Sequence, residues 1–445
     1  SATKAVIPQE RDNTFMPPAR HPASSFDVFN VYFERIYDPT MHVVFTFDGG
    51  IEAEVMREAT MRLIASDPYL RSRYTEVEGR PVWEETPKES WNGAFFIEQG
   101  GQPLTTPPPP LDVRKGPQVR VGLYRDGEGD RLAVTCHHGF CDAGGALAIA
   151  RDVFSVYRRL MENRDHRPPE RNPCDRSIKR ILDLHTREER REALAEEEPF
   201  VDRWSFPAEH PGRGRPRVAS RTLAPERLKL IKAFGKEHGA TVNDVLVAAF
   251  FLAFRKIRDD PSDIGSPRSI LTSADLRRRY PGLYDDCPIA NLSAAYEITL
   301  TAGEGAGLED IIGDVAAITA RRKAGHLGLA AILFYEGIIA RGMPAVLEFF
   351  DDMIERYTAS GLKNPVFSNL GVFDPGEFLP VPGKGGEDLD ILDIRYLPCV
   401  CWPYGFLMIA STFRGRLTLA SAYEEGPYST AVVERFLGYV DGCLP

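Results

Sequence analysis

Two imidazoles and a carboxylate fall within the short run His137-His138-Gly139-Phe140-Cys141-Asp142, followed by Ala143, Gly144 and Gly145. A neutral imidazole can take and return a proton near pH 7, so the run has the makings of general acid–base chemistry. Imidazole and carboxylate also bind metals, and Cys141 lies nearby. No second ligand pair with recognisable spacing occurs in the chain, so no metal is expected. A plainer alternative stands beside both: adjacent histidines at a strand end point to opposite faces, one into the core and one into solvent.

The flanking segments favour a site. Residues 131–136 mix apolar and β-branched side chains and read as a strand, and residues 146–160 carry a helical pattern through Leu147, Ala150, Phe154 and Tyr157. A strand that delivers titratable groups into a glycine-rich turn ahead of a helix holds them where a backbone fixes their geometry.

The chain has 445 residues, enough for two compact units, and 43% hydrophobic content supports large cores. A net charge of −10 argues against a nucleic-acid partner or a polybasic membrane surface. A small molecule or a protein is the expected partner, and a monomer the expected state. The seven cysteines are scattered and mostly set among apolar residues, which predicts free thiols in a reducing compartment and no disulfide framework. No apolar run has signal-peptide or membrane-span length, so a soluble cytoplasmic protein is expected.

Along the chain, residues 1–25 read as an irregular lead-in. A strand at 41–47, a helix over 51–66 stopped by Asp67-Pro68, and a strand at 69–74 follow. Pro107 to Pro110 predict a stiff extended connector. Strands at 119–124 and 131–136 flank a turn and predict a hairpin whose second arm ends in the histidine pair. Residues 161–217 are polar, proline-rich and charged, with one helix expected over 175–198, and read as a crossover between an N-terminal half, 1–160, and a C-terminal half, 218–445. In the C-terminal half, a strand near 218–223 precedes a helix begun by Pro225. Thr241 and Asp244 then predict a capped, buried helix through Ile257. Strands at 269–272 and 291–296, helices at 308–323 and 329–357, the second interrupted near Gly342 and Pro344, four strands from 365 to 423 and a terminal helix complete the reading. No Gly-x-x-x-x-Gly-Lys loop occurs, which leaves nucleotide hydrolysis without support.

His137-His138-Gly-Phe-Cys-Asp142 resembles the His-His-x-x-x-Asp signature of the condensation-domain superfamily of acyltransferases. That superfamily includes nonribosomal peptide condensation domains, polyketide-associated acyltransferases, wax ester synthases and alcohol acyltransferases. Thr241-Val-Asn-Asp-Val-Leu246, Asp275-Leu276-Arg277, Asn291-Leu292-Ser293 and Ser368-Asn369-Leu370-Gly371 resemble its later landmarks in order. One departure is Ala143, where the family usually has glycine.

The resemblance implies an α+β fold of two chloramphenicol-acetyltransferase-like halves, each a mainly antiparallel sheet with helices, arranged as a V with a tunnel between them. It implies His138 as general base, His137 as its support, and Asp142 as a structural residue paired with Arg277 beside Gly144. Substrate-tunnel candidates are Ala143, Gly145, Ser368 and Asn369. The implied reaction moves an acyl group from a thioester, carried by coenzyme A or a phosphopantetheinyl carrier protein, to an alcohol or amine, in secondary metabolism or lipid biosynthesis. No cofactor is required. Two alternatives stay open: a catalytically silent docking relative, and a same-fold enzyme that cyclises or otherwise transforms a carrier-bound substrate.

Overall fold

The computed structural model describes residues 17–101, 103–197 and 200–445. Of the expected lead-in, 1–16 lie outside the described residues, and Arg20–Pro22 form a short strand.

Helices and two main sheets share the chain. The first sheet has five strands in the order Ile391–Leu397, Thr40–Phe47, Asp130–His137, Arg120–Arg125, Phe95–Gln99. All neighbours are antiparallel except the last pair. Thr40 pairs with His137 and Val43 with Val134, so the histidine strand runs down the middle of this sheet. The motif helix, Ala143–Glu162, packs on it through Ala146, Ile149, Ala150, Val153, Phe154, Tyr157 and Leu160, the i, i+3, i+4 stripe of a one-sided helix.

The second sheet runs Ser293–Leu300, Arg268–Asp275, Val366–Phe373, Leu407–Phe413, Arg416–Glu425, Val400–Cys401, Tyr37–Asp38, with Arg215–Thr222 also paired to Arg416–Glu425. The helix Val242–Arg258 lies buried beneath it, started by a capping box in which Thr241 accepts from Asp244 N–H and Asp244 from Thr241 N–H. The sheets trade strands. Ile391–Leu397, from the stretch assigned above to the C-terminal half, joins the first sheet against Thr40–Phe47, while Tyr37–Asp38 joins the second.

Three expectations need correction. The strand read at 69–74 begins only at Ser72, because the Asp67 carboxylate accepts from the backbone N–H groups of Tyr69 and Leu70 and turns the chain there. The hairpin then closes through Glu78 and Gly79, both at positive φ. The single crossover helix is two, Lys179–Leu182 and Arg187–Ala195, since Thr186 takes the N-cap role and restarts the helix; Glu198 lies outside the described residues.

The third correction concerns the cysteines. Cys174 and Cys287 form a disulfide across a sequence separation of 113, joining the crossover to the loop that precedes Asn291. Spacing alone cannot show two cysteines that distant converging. Cys136, Cys141, Cys399, Cys401 and Cys443 are free. Thiol titration of the denatured, unreduced protein should therefore count five thiols, rising to seven after reduction.

Candidate active site

The strand Asp130–His137 ends at the second sheet's border, and His138 N–H donates to Pro39 O at 2.8 Å. A tight turn follows, with Phe140 and Cys141 N–H donating back to His137 O. Gly139 is required here: a Cβ would lie 2.4 Å from Val31 Cγ2 and 2.9 Å from His137 Nδ1. The turn's outward carbonyls are also met, Gly139 O by Asn291 Nδ2 at 3.1 Å and Phe140 O by the Arg176 guanidinium. This turn is fixed from every side.

His137 is buried, and its Nδ1 accepts from Gly139 N–H at 2.9 Å. Burial, then the neighbouring His138 and Arg114, hold its pKa down to about 3, so it stays neutral. It lines neither cavity described below. His138 is half-buried and lines a cavity. Burial lowers its pKa below the ordinary 6.5, opposed by its own backbone, Asp142 and the Asn291 side chain.

Asp142 caps the motif helix, its Oδ1 accepting from Gly145 N–H at 2.9 Å. Its Oδ2 accepts from Arg277 at 2.8 Å and Leu292 N–H at 2.7 Å. Burial alone would raise its pKa; the Arg277 charge and these hydrogen bonds outweigh it and hold the carboxyl ionised. Arg277 also donates to Asp275 and to the carbonyls of Pro288 and Ala290. One guanidinium thus ties the motif to the 288–292 loop.

A second pair lies beneath the turn. Arg176 and Asp27 are buried and bond at 3.0 Å. Asp27 also accepts from Trp83 Nε1 at 3.0 Å and Asn291 Nδ2 at 3.2 Å, while Arg176 reaches Ile289 O and Phe140 O. Sequence reasoning missed Asp27, Arg176 and the bridging part of Asn291. A signal for Asp27 exists in Ser24-Ser-Phe-Asp27, a capping box at the start of the helix Ser25–Tyr32.

Two cavities meet at the turn. The larger, about 720 Å³, carries Arg151, Arg278, Arg279 and Lys323 with Asp275, Asp374 and Glu377. The smaller, about 270 Å³, is walled mainly by apolar side chains and contains His138. Asp142, Ala143, Ser273, Ser293, Ser368 and Leu370 line both. Ala143, the departure noted above, thus lies at the junction. Ser368 Oγ lies 3.0 Å from Ser273 Oγ. Asn369 faces only the larger cavity, its carboxamide oxygen taken by Gly371 N–H at a break in strand register. Gly144 lines the larger cavity against Arg277. Gly145 reaches neither, being packed on Cys141, where a Cβ would lie 2.6 Å from Cys141 Cβ. Among the described residues, no cluster of three or more His, Cys, Asp or Glu side chains is arranged for a metal.

Residues 31–278 match the model of the condensation domain. The chain belongs to the condensation-domain family. This condensation domain is 25% identical over 297 residues to an uncharacterized protein of Mycobacterium tuberculosis, covering 64% of this chain and 65% of that one, so the match spans just under two thirds of the relative's length. Polyketide synthase associated protein 5 from Mycobacterium tuberculosis shares the fold at a TM-score of 0.67 and 17% identity, covering 96% of this chain and 98% of that one. The trichothecene 15-O-acetyltransferase from Fusarium sporotrichioides does so at 0.64 and 16%, covering 94% and 93%. The condensation-domain fold is mixed helix and sheet, and among its described residues no single helix is long and apolar enough to cross a membrane.

Removing one partner of the buried pair strands a charge. Arg176→Ala should lower unfolding free energy by about 3–5 kcal/mol in a denaturant titration, well beyond an exposed arginine truncation.

Proposed function

We propose that this chain is an acyltransferase that moves an acyl group from a thioester to an alcohol or amine, with His138 as general base. The observation that carries the reading is the position of a neutral, half-buried imidazole in one cavity beside the seam with a second cavity. Such an arrangement lets two substrates enter separately and meet at one proton acceptor.

The acceptor's O–H or N–H donates to His138 as its heteroatom attacks the thioester carbonyl. The imidazolium then returns the proton to the departing thiolate. The oxyanion formed between these steps needs donors, and the Ser368 and Ser273 hydroxyls on the seam are suitably placed to supply one. His137 acts as a brace: its Nδ1 is committed to the turn. Asp142 and Arg277 fix the turn and take no proton. Arg151, Arg278, Arg279 and Lys323 in the larger cavity support a phosphate-bearing donor, coenzyme A or a phosphopantetheinyl carrier protein, arriving from that side.

The test offers wild type and His138→Ala matched panels of acyl-coenzyme A and acyl-carrier protein with mixed acceptors, read by intact mass. Transfer by wild type should fall by about 10²–10⁴-fold in the variant. Equal transfer by both proteins removes His138 from the role.

A base with a lowered pKa must be neutral to act. The wild-type kcat/KM profile should therefore be level through pH 7 and fall only on the acid side, with its midpoint below 6.5. A midpoint above 6.5 contradicts the burial argument.

A further inference from the structure

The two cavities differ in chemistry as well as size, and His138 belongs to only one of them. His138 lines the smaller cavity and is absent from the larger. A general base must lie within hydrogen-bond reach of the attacking group, so the smaller cavity is where the acceptor sits.

The walls of that cavity include Met41, Leu271, Tyr396, Cys399, Leu407 and Ile409. Burial raises the Cys399 and Cys401 thiols well above their ordinary range, so both stay uncharged and act as small apolar surfaces. The Tyr396 hydroxyl is spent on Met41 Sδ at 2.7 Å. Of the polar groups at the edges, Asn30 donates to Phe26 O, and Asn364 bonds Arg203 N–H, Val201 O and Glu297, while the buried Trp402 Nε1–H, a donor that suits an oxygen more than an ammonium, has no partner among the described residues.

The charges are informative. Among the residues that line the cavity, Asp142 is the only carboxylate, and both its oxygens are occupied by Arg277, Gly145 and Leu292. The only other full charge is the Lys363 ammonium. An amine acceptor reaches a protein at neutral pH mainly as an ammonium, and here it would shed its water with no open carboxylate to receive it. An alcohol arrives neutral. It needs only one acceptor for its proton, and His138 supplies it.

Resting on the acyl-transfer reading above, we propose that the smaller cavity seats an apolar alcohol, hydroxyl toward His138, and that the product is an ester. The alcohol oxygen bonds the acyl carbon as its proton passes to His138, the carbon–sulfur bond breaks, and the thiolate takes the proton to leave as free thiol. 1-Octanol, one hydroxyl on an unbranched apolar chain, is the simplest probe of such a cavity.

The test is calorimetric titration of the full chain with 1-octanol, octylamine and diethylene glycol monomethyl ether. 1-Octanol should bind at least tenfold more tightly than either of the others. Ala295→Phe, at the exposed edge of the cavity, should weaken 1-octanol by tenfold or more, in a protein whose thermal unfolding shows that it is folded. Octylamine binding as well as 1-octanol, the glycol ether binding as well, or no alcohol binding overturns the proposal. A competition between equimolar 1-octanol and octylamine for an acyl thioester, read by product mass, should give mostly octyl ester; mostly amide overturns it. Selective 1-octanol binding without transfer upholds the cavity and defeats the acyl-transfer reading, so the two failures are separable.

Discussion

The site depends on paired buried charges that join distant parts of the chain. Asp142 meets Arg277 across 135 residues, and Asp27 meets Arg176 across 149. Each pair costs desolvation, offset for Asp142–Arg277 mostly by bonds to the backbone of the 137–145 turn and the 288–292 loop, and for Asp27–Arg176 by Phe140 O and Ile289 O together with the Trp83 and Asn291 side chains and Ser24 N–H. Their contribution is geometric. A short turn between a strand and a helix has few ways to hold a histidine ring still, and these guanidinium groups supply anchors that the turn itself lacks.

The parts of this arrangement legible in the sequence are those with local causes. The strand, turn and helix around His138 follow from periodicity and from a capping aspartate, and the buried helix from Thr241 follows from its capping box. The turn at Asp67, the restart at Thr186 and the hairpin at Glu78-Gly79 had local signals that a pattern of apolar residues outweighed. Arg176 had none: in a charged crossover it looks like any solvated arginine, and only the folded chain places it against Asp27. The Cys174–Cys287 bond was hidden for the same reason. Asn291 stood out as a landmark, yet its link between Asp27 and Gly139 is a property of the assembled loop.

The two cavities illustrate how one seam serves unlike environments. Ser273 and Ser368 come from neighbouring strands of the second sheet, and their hydroxyls touch at the wall between a charged space and an apolar one. On the charged side, the register break between Asn369 and Val372 turns the Asn369 carboxamide onto the backbone. Bulges of this kind redirect side chains locally without disturbing the rest of a sheet.

The exchanged strand Ile391–Leu397 has a bearing on synthesis. Until those residues leave the ribosome, Thr40–Phe47 has no partner on its outer side and stands as a long, apolar open edge. The first sheet is made early and finished late. A nascent chain therefore carries an open half-sheet until those residues emerge, and a fragment cut near residue 160 would keep that edge permanently. Neither sheet is complete without a strand from the other's part of the chain.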